Sequence, residues 1–183
     1  MKSLRRINAY IAALLLIIII LHGLITSTIL LRLDYTPVGE WLGYGGLALL
    51  VVHGIIGIIL TVQTIVAEAQ SRGKLYLRMN ASFWTCRLTG LAMILLMFFH
   101  IGMFGEVVNG EYENLPFTTI KMIATMALAA SVFLHIFTNV RPNLISLGIL
   151  TDSRERRTIY VVLAVILVFI AIAIVDYYIS WWF

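Results

Sequence analysis

Four histidines, His22, His53, His100 and His135, are the residues whose type and placing point to chemistry in this chain. Each lies inside a long apolar run, and no two share a run. An ionisable side chain is costly in hydrocarbon and normally faces the interior of a helix bundle with a partner. No carboxylate or lysine lies deep in these runs to provide one. Neutral imidazole is a good ligand for haem iron, and two imidazoles on facing helices fill both axial positions without adding net charge to the core. Four histidines make two such sites. Two other uses of the same side chains stay open: hydrogen bonds between helices, and a haem-free metal site, although Zn or Cu would recruit a carboxylate or thiolate at the same depth.

Two axial ligands must reach one height from opposite sides. At about 1.5 Å per residue, His22 lies about 15 Å before Arg32, and His100 about 9 Å before Glu106, so these two can share a site near one edge. His135 lies about 9 Å before Arg141, whereas His53, between Trp41 and Glu68, falls near mid-bilayer. The second pair is mismatched unless the fourth helix continues past Pro142 through Leu144 to Leu150. That continuation would leave Arg141 and Asn139 at the haem edge, with the Arg fork suited to a propionate. Gly23 follows His22, Gly54 follows His53, and Gly46, His53 and Gly57 share one helical face. Missing side chains there admit a flat macrocycle or a closely crossing helix. Ser131, Thr138 and Asn139 form a polar stripe with His135, while Met93, Met97 and Met103 near His100 read as packing.

The elements that must carry these side chains are membrane helices. With 183 residues, 61% of them hydrophobic and 12% charged, the chain is too apolar for a water-soluble core, which excludes a soluble enzyme. Spans are predicted over about 7–31, 41–67, 88–108, 116–140 and 158–180, each near the roughly 20 residues that cross a bilayer. The expectation is an all-α, five-helix integral membrane bundle forming one domain over residues 1–183. The first run exceeds a signal-peptide core and is expected to be retained. Turn residues separate the spans: Asp34, Pro37 and Gly39, then Gly73, then Asn109 and Gly110, then Pro142 and Asn143.

Eleven of the 13 Lys and Arg residues fall on one side of these spans, and only Arg32 and Lys121 on the other. The positive-inside rule then predicts a cytoplasmic N-terminus and an outer C-terminus, with Trp181 and Trp182 at the interface. This is the pattern of a multi-pass protein of the cell (inner) membrane. The basic excess is topological, and no nucleic-acid partner is expected. The single Cys86 excludes an internal disulfide, a thiolate iron–sulfur cluster and covalent haem attachment. On the outer side, Glu40 with Tyr44 is a candidate proton-accepting pair, Asp34 and Glu106 lying near the same edge.

Five spans with one histidine on each of the first four resemble the single-polypeptide dihaem cytochrome b anchor of succinate dehydrogenases and fumarate reductases. The resemblance covers the whole chain and rests on spacing. It implies two b-type haems, His22 paired with His100 on the outer side and His53 with His135 on the cytoplasmic side. It also implies cytoplasmic flavoprotein and iron–sulfur subunits, and quinone or menaquinone as substrate in the membrane. Some members carry a carboxylate beside the fourth-helix histidine, where this chain has Phe133, Leu134 and Ile136. The chain is expected to be an electron-transfer subunit rather than a complete enzyme. The alternatives are the cytochrome b of a hydrogenase, formate dehydrogenase or heterodisulfide-type complex, and a haem-free transporter or anchor.

Overall fold

Away from water, a long apolar segment satisfies its own backbone groups by forming a helix. The computed structural model contains five, each long and apolar enough to cross a membrane. It describes residues 2–33, 35–70, 81–109, 111–149 and 153–182. The helices are α1 (Lys2–Leu30), α2 (Val38–Gln70), α3 (Ala81–His100), α4 (Thr119–Ser146) and α5 (Ser153–Trp182). A two-stranded antiparallel ribbon, β1 (Gly105–Val108) and β2 (Glu111–Asn114), joins α3 to α4.

Two helices differ most from the sequence expectation. The third helix does not occupy 88–108: it begins at Ala81 and stops at His100, and the chain then turns through Gly102 at φ +66°. Asn109, at a positive φ of 54°, turns the chain out of β1, while Gly110 lies outside the described residues. The fourth helix passes Pro142 and closes at Ser146. Its end is a Schellman motif: Gly148 (φ +73°) donates to Ile145 O at 3.0 Å, and Ile149 to Leu144 O at 3.0 Å. α1 ends the same way around Arg32, whose φ of +58° is unusual for a side chain of that size. The Arg32 guanidinium donates to Ser180 O (3.3 Å) in the last turn of α5, where the helix dipole favours a cation.

Helix α1 packs along α2, α3 packs along α4, and α5 lies against both α1 and α4. Helices α2 and α3 meet only briefly, while α1 faces α3 and α2 faces α4 across the bundle diagonals. Close crossings are set by small residues: a Cβ on Gly23 would meet Ile170 of α5 at 2.6 Å, and one on Gly54 would meet Ile94 of α3 at 3.1 Å. These two glycines, which the sequence allows to face a ligand, seat neighbouring helices.

The core is layered. Leu15, Leu50, Met93 and Leu128, one from each of α1 to α4, form a buried apolar layer across the middle. At the end that carries the ribbon, Phe117 is 1% exposed between Phe104 (5.0 Å, stacked) and Tyr177 (5.3 Å), joined by Leu30, Met103, Ala173 and Ile174. Lys121 braces this end by donating to Met103 O (3.1 Å) and Pro116 O (3.0 Å). At the other end, Ile136, Val140 and Leu163 seal α4 against α5.

Candidate functional site

Because the first four helices alternate in direction, each diagonal brings two histidines together. The ring centroids of His22 and His100 are 6.2 Å apart with planes at 80°, and those of His53 and His135 are 6.2 Å apart at 85°. Each histidine is thus matched with one other, at equal spacing. The depth mismatch expected for His53 and His135 is absent, because α4 continues past Pro142 and Arg141 does not mark its end.

The spacing limits what each pair can do by itself. Two imidazoles sharing an N–H···N bond would have centroids about 5 Å apart. Imidazole nitrogens bind first-row metals at about 2.0–2.1 Å, which puts two rings on opposite sides of one ion about 6.3 Å apart. The observed 6.2 Å is compatible with the second arrangement and also lies within the roughly 4.5–7 Å of an ordinary edge-to-face ring pair. Among the described residues, no group of three or more His, Cys, Asp or Glu is placed to hold a metal ion. A protein-only Zn site takes three or four protein ligands, whereas a macrocycle with four in-plane donors needs only the two that each pair supplies.

In each pair, one ring is anchored and one is not. His22 Nδ1 lies 2.8 Å from Gly39 O, and His135 Nδ1 lies 3.1 Å from Cys86 O. A carbonyl can only accept, so Nδ1 carries a proton in both rings, and in the neutral imidazole that leaves the lone pair on Nε2, the atom a metal ligand would use. Thr89 Oγ1 donates to Thr85 O (2.7 Å) and stands 3.2 Å from His135 Nδ1 as a second acceptor. The Nδ1 atoms of His53 and His100 are buried with no hydrogen-bond partner among the described residues. No hydrogen bond reaches an Nε2 of the four among the described residues.

The two anchors are built alike. His22 rests on α2, where a Cβ on Gly43 would come within 3.1 Å of its Cε1. His135 rests on α3, where a Cβ on Gly90 would come within 3.3 Å of its Cε1. In both cases the acceptor carbonyl lies four residues before the glycine, and the glycine ten residues before the next histidine: Gly39, Gly43 and His53 on α2; Cys86, Gly90 and His100 on α3. The hairpins α1–α2 and α4–α3 therefore repeat one arrangement with the chain direction reversed. Ten helical residues separate each anchor glycine from the next histidine, which spaces the two ring pairs about 15 Å apart along the bundle. The apolar layer of Leu15, Leu50, Met93 and Leu128 lies between them.

The remaining sequence candidates are spread more widely. Gly46 is buried, and a Cβ there would meet Ile18 of α1 at 3.2 Å, so it seats a helix. Gly57, one turn beyond His53, faces open space: a Cβ there would have nothing within 4 Å. Arg141 is exposed, while Asn139 donates to His135 O (2.7 Å) within its own helix. Glu40 is half-buried in the first turn of α2 and accepts from Tyr35 Oη at 3.4 Å; Tyr44, one turn on, is exposed. Slight burial and then the Glu40 carboxylate raise the Tyr35 phenol above its usual pKa.

Sequence reasoning missed Gly39, Gly43, Cys86, Thr89 and Gly90, and also Arg87. The Arg87 guanidinium carbon stacks 3.4 Å from the Phe83 ring centroid, Nη1 donates to Phe83 O (3.1 Å), and Nε is buried without a partner. The sequence reading begins the third span at 88 and so leaves Arg87 on its flank; the start of α3 at Ala81 brings it inside the helix. Comparison of the chain with protein-family models, with curated proteins and with solved structures finds no match.

Proposed function

We propose that this chain is a dihaem b-type electron carrier of the membrane, with one haem between His22 and His100 and a second between His53 and His135. The observation that carries this reading is the pair of diagonal histidine contacts, each with centroids 6.2 Å apart. The protonated Nδ1 of His22 and His135 supports it, since an axial imidazole normally donates its far N–H to a fixed acceptor. When bound, haem iron supplies reversible one-electron chemistry. This chain's residues hold the rings at a fixed spacing, orient Nε2 and exclude water with the apolar layer.

The positive-inside pattern supports a cytoplasmic N-terminus, which puts the His22/His100 pair toward the outside of the cell membrane. The partners on this reading are cytoplasmic flavin and iron–sulfur subunits of the succinate dehydrogenase or fumarate reductase type, with quinone or menaquinone as the membrane substrate. Glu40, with Tyr44 one turn along the same face, is the proposed proton acceptor for a quinol at the outer edge. Glu40→Gln is expected to slow quinol oxidation; an unchanged rate would remove Glu40 from that role.

A second reading has its own support. His22 and His135 each tie two helices together through a backbone carbonyl, as structural histidines of a haem-free anchor or transporter would. A pyridine haemochrome count separates the two. Two haems in the wild type are expected, one lost in His22→Ala or His100→Ala and the other in His53→Ala or His135→Ala. A well-folded preparation without haem would overturn the electron-carrier reading.

A further inference from the structure

The repeated anchor makes residues of α2 and α3 comparable one by one. Gly39 and Cys86 supply the equivalent carbonyls, Gly43 and Gly90 the equivalent flat surfaces, and His53 and His100 the equivalent second rings. The residues that follow the two carbonyls, 13 before the histidine of the same helix, are Glu40 and Arg87. These equivalent positions carry opposite charges. Both side chains are half-buried, and Arg87 holds an unpartnered Nε with its guanidinium stacked on Phe83.

The wider charge distribution has the same sign as this local contrast. Among the described residues, the ribbon end carries Glu40, Glu106, Glu111, Glu113 and Asp176 against Arg32 and Lys121. At the other end the described residues include two carboxylates, Glu68 and Glu155, against eight Lys and Arg. Fixed charge on this scale sets a field along the bundle. A cation favours the more reduced, less positive state of a nearby redox centre, and an anion favours the oxidised state.

We propose, resting on the dihaem reading above, that Glu40 and Arg87 are an opposed pair of tuning residues that hold the two sites at unequal potential, with the electron favoured at His53/His135. Each acts through its charge on the ring pair that its own turn anchors. Lys121, held by Met103 O three residues beyond His100 and by Pro116 O, works against Glu40 and so limits the difference.

The test is an equilibrium redox titration of the purified haem-loaded chain, following the haem absorbance bands. The sites are assigned with His22→Ala and His53→Ala, each of which leaves one pair intact. Wild type is expected to show two midpoints, the higher at His53/His135. Glu40→Gln raises only the His22/His100 midpoint, Arg87→Gln lowers only the other, and Lys121→Gln lowers the His22/His100 midpoint. A unit charge about 10 Å away at an effective dielectric near 20 changes a reduction equilibrium roughly tenfold, which is about 59 mV for one electron. Arg87→Lys keeps the charge and most of the midpoint. If Arg87→Gln does not fold, the order of the midpoints and the Glu40→Gln shift still decide.

A reversed order overturns the proposal, as do substitutions that move the same site or move neither. A wild-type chain that binds no haem fails earlier and differently, since it overturns the electron-carrier reading before any midpoint is measured.

Discussion

Replacing Gly43 by Ala is expected to stabilise the helix that carries it and to weaken the haem site beside it. The new Cβ would stand 3.1 Å from His22 Cε1 and 3.4 Å from its Nδ1. Carbon atoms rest at about 3.5–4.0 Å, so the ring must retreat by about 0.5 Å. The His22 Nδ1 to Gly39 O bond, 2.8 Å in the structure, would then stretch past the range in which a neutral hydrogen bond is worth much. Its loss costs about 1 kcal/mol, near fivefold in affinity, and loss of a comparable partner behind a metal-bound His typically costs about 10- to 100-fold. Haem affinity at His22/His100 should therefore fall by about fivefold to a hundredfold. The same substitution adds about 0.5–1 kcal/mol of helix preference, so thermal unfolding of the haem-free chain in detergent should not occur earlier. Gly45→Ala is the control, because nothing lies within 4 Å of its Cβ position. The assay is absorbance titration of haem-free protein with haemin, followed by a haem count. If Gly43→Ala binds two haems as tightly as Gly45→Ala, the steric account of the anchor is wrong.

Gly90→Ala is expected to act on the His53/His135 site in the same way but less strongly, since its Cβ would stand 3.3 Å from His135 Cε1, and Thr89→Val less still, because Cys86 O remains to accept the proton; haem counts rank the three. Gly57→Leu puts a side chain into the open space one turn from His53, and should cost the haem at His53/His135 while leaving the other haem and the melting temperature of the haem-free chain in place. Phe117→Ala removes a ring that is 1% exposed and should cost about 3–5 kcal/mol. Phe104, stacked on Phe117, also lies 5.5 Å from His100, so haem at His22/His100 should be lost first on heating.

The number of helices and their approximate positions were readable from the apolar runs because hydrocarbon leaves an isolated segment no alternative to a helix. Boundaries failed where local turn chemistry competed with hydropathy. Val107 and Val108 extend the third apolar run in sequence, yet Gly102 and the Asn109 turn break it into a ribbon. Arg141 and Pro142 suggested a helix end, but one Pro in a long helix removes one donor and the Schellman motif at Gly148 supplies the actual stop. The histidines themselves were visible, being costly polar groups in an apolar background. Their supports were not, because the acceptors are backbone carbonyls of Gly39 and Cys86, which every residue possesses. Among 13 glycines, nothing in sequence distinguishes Gly43 and Gly90, which touch imidazoles, from Gly46 and Gly54, which touch neighbouring helices.

The apolar layer of Leu15, Leu50, Met93 and Leu128 has an electrical meaning. It lies within the roughly 15 Å that separate the two ring pairs, an apolar stretch in a hydrocarbon core about 30 Å thick. On the proposed function, an electron stepping across it would traverse roughly half of the transmembrane voltage. A full crossing is worth about 2.3 kcal/mol per 100 mV, so this step is worth about half that. The division of charge between the two sites would then follow the energised state of the membrane, and the bundle would behave as a small capacitor whose plates are four histidines.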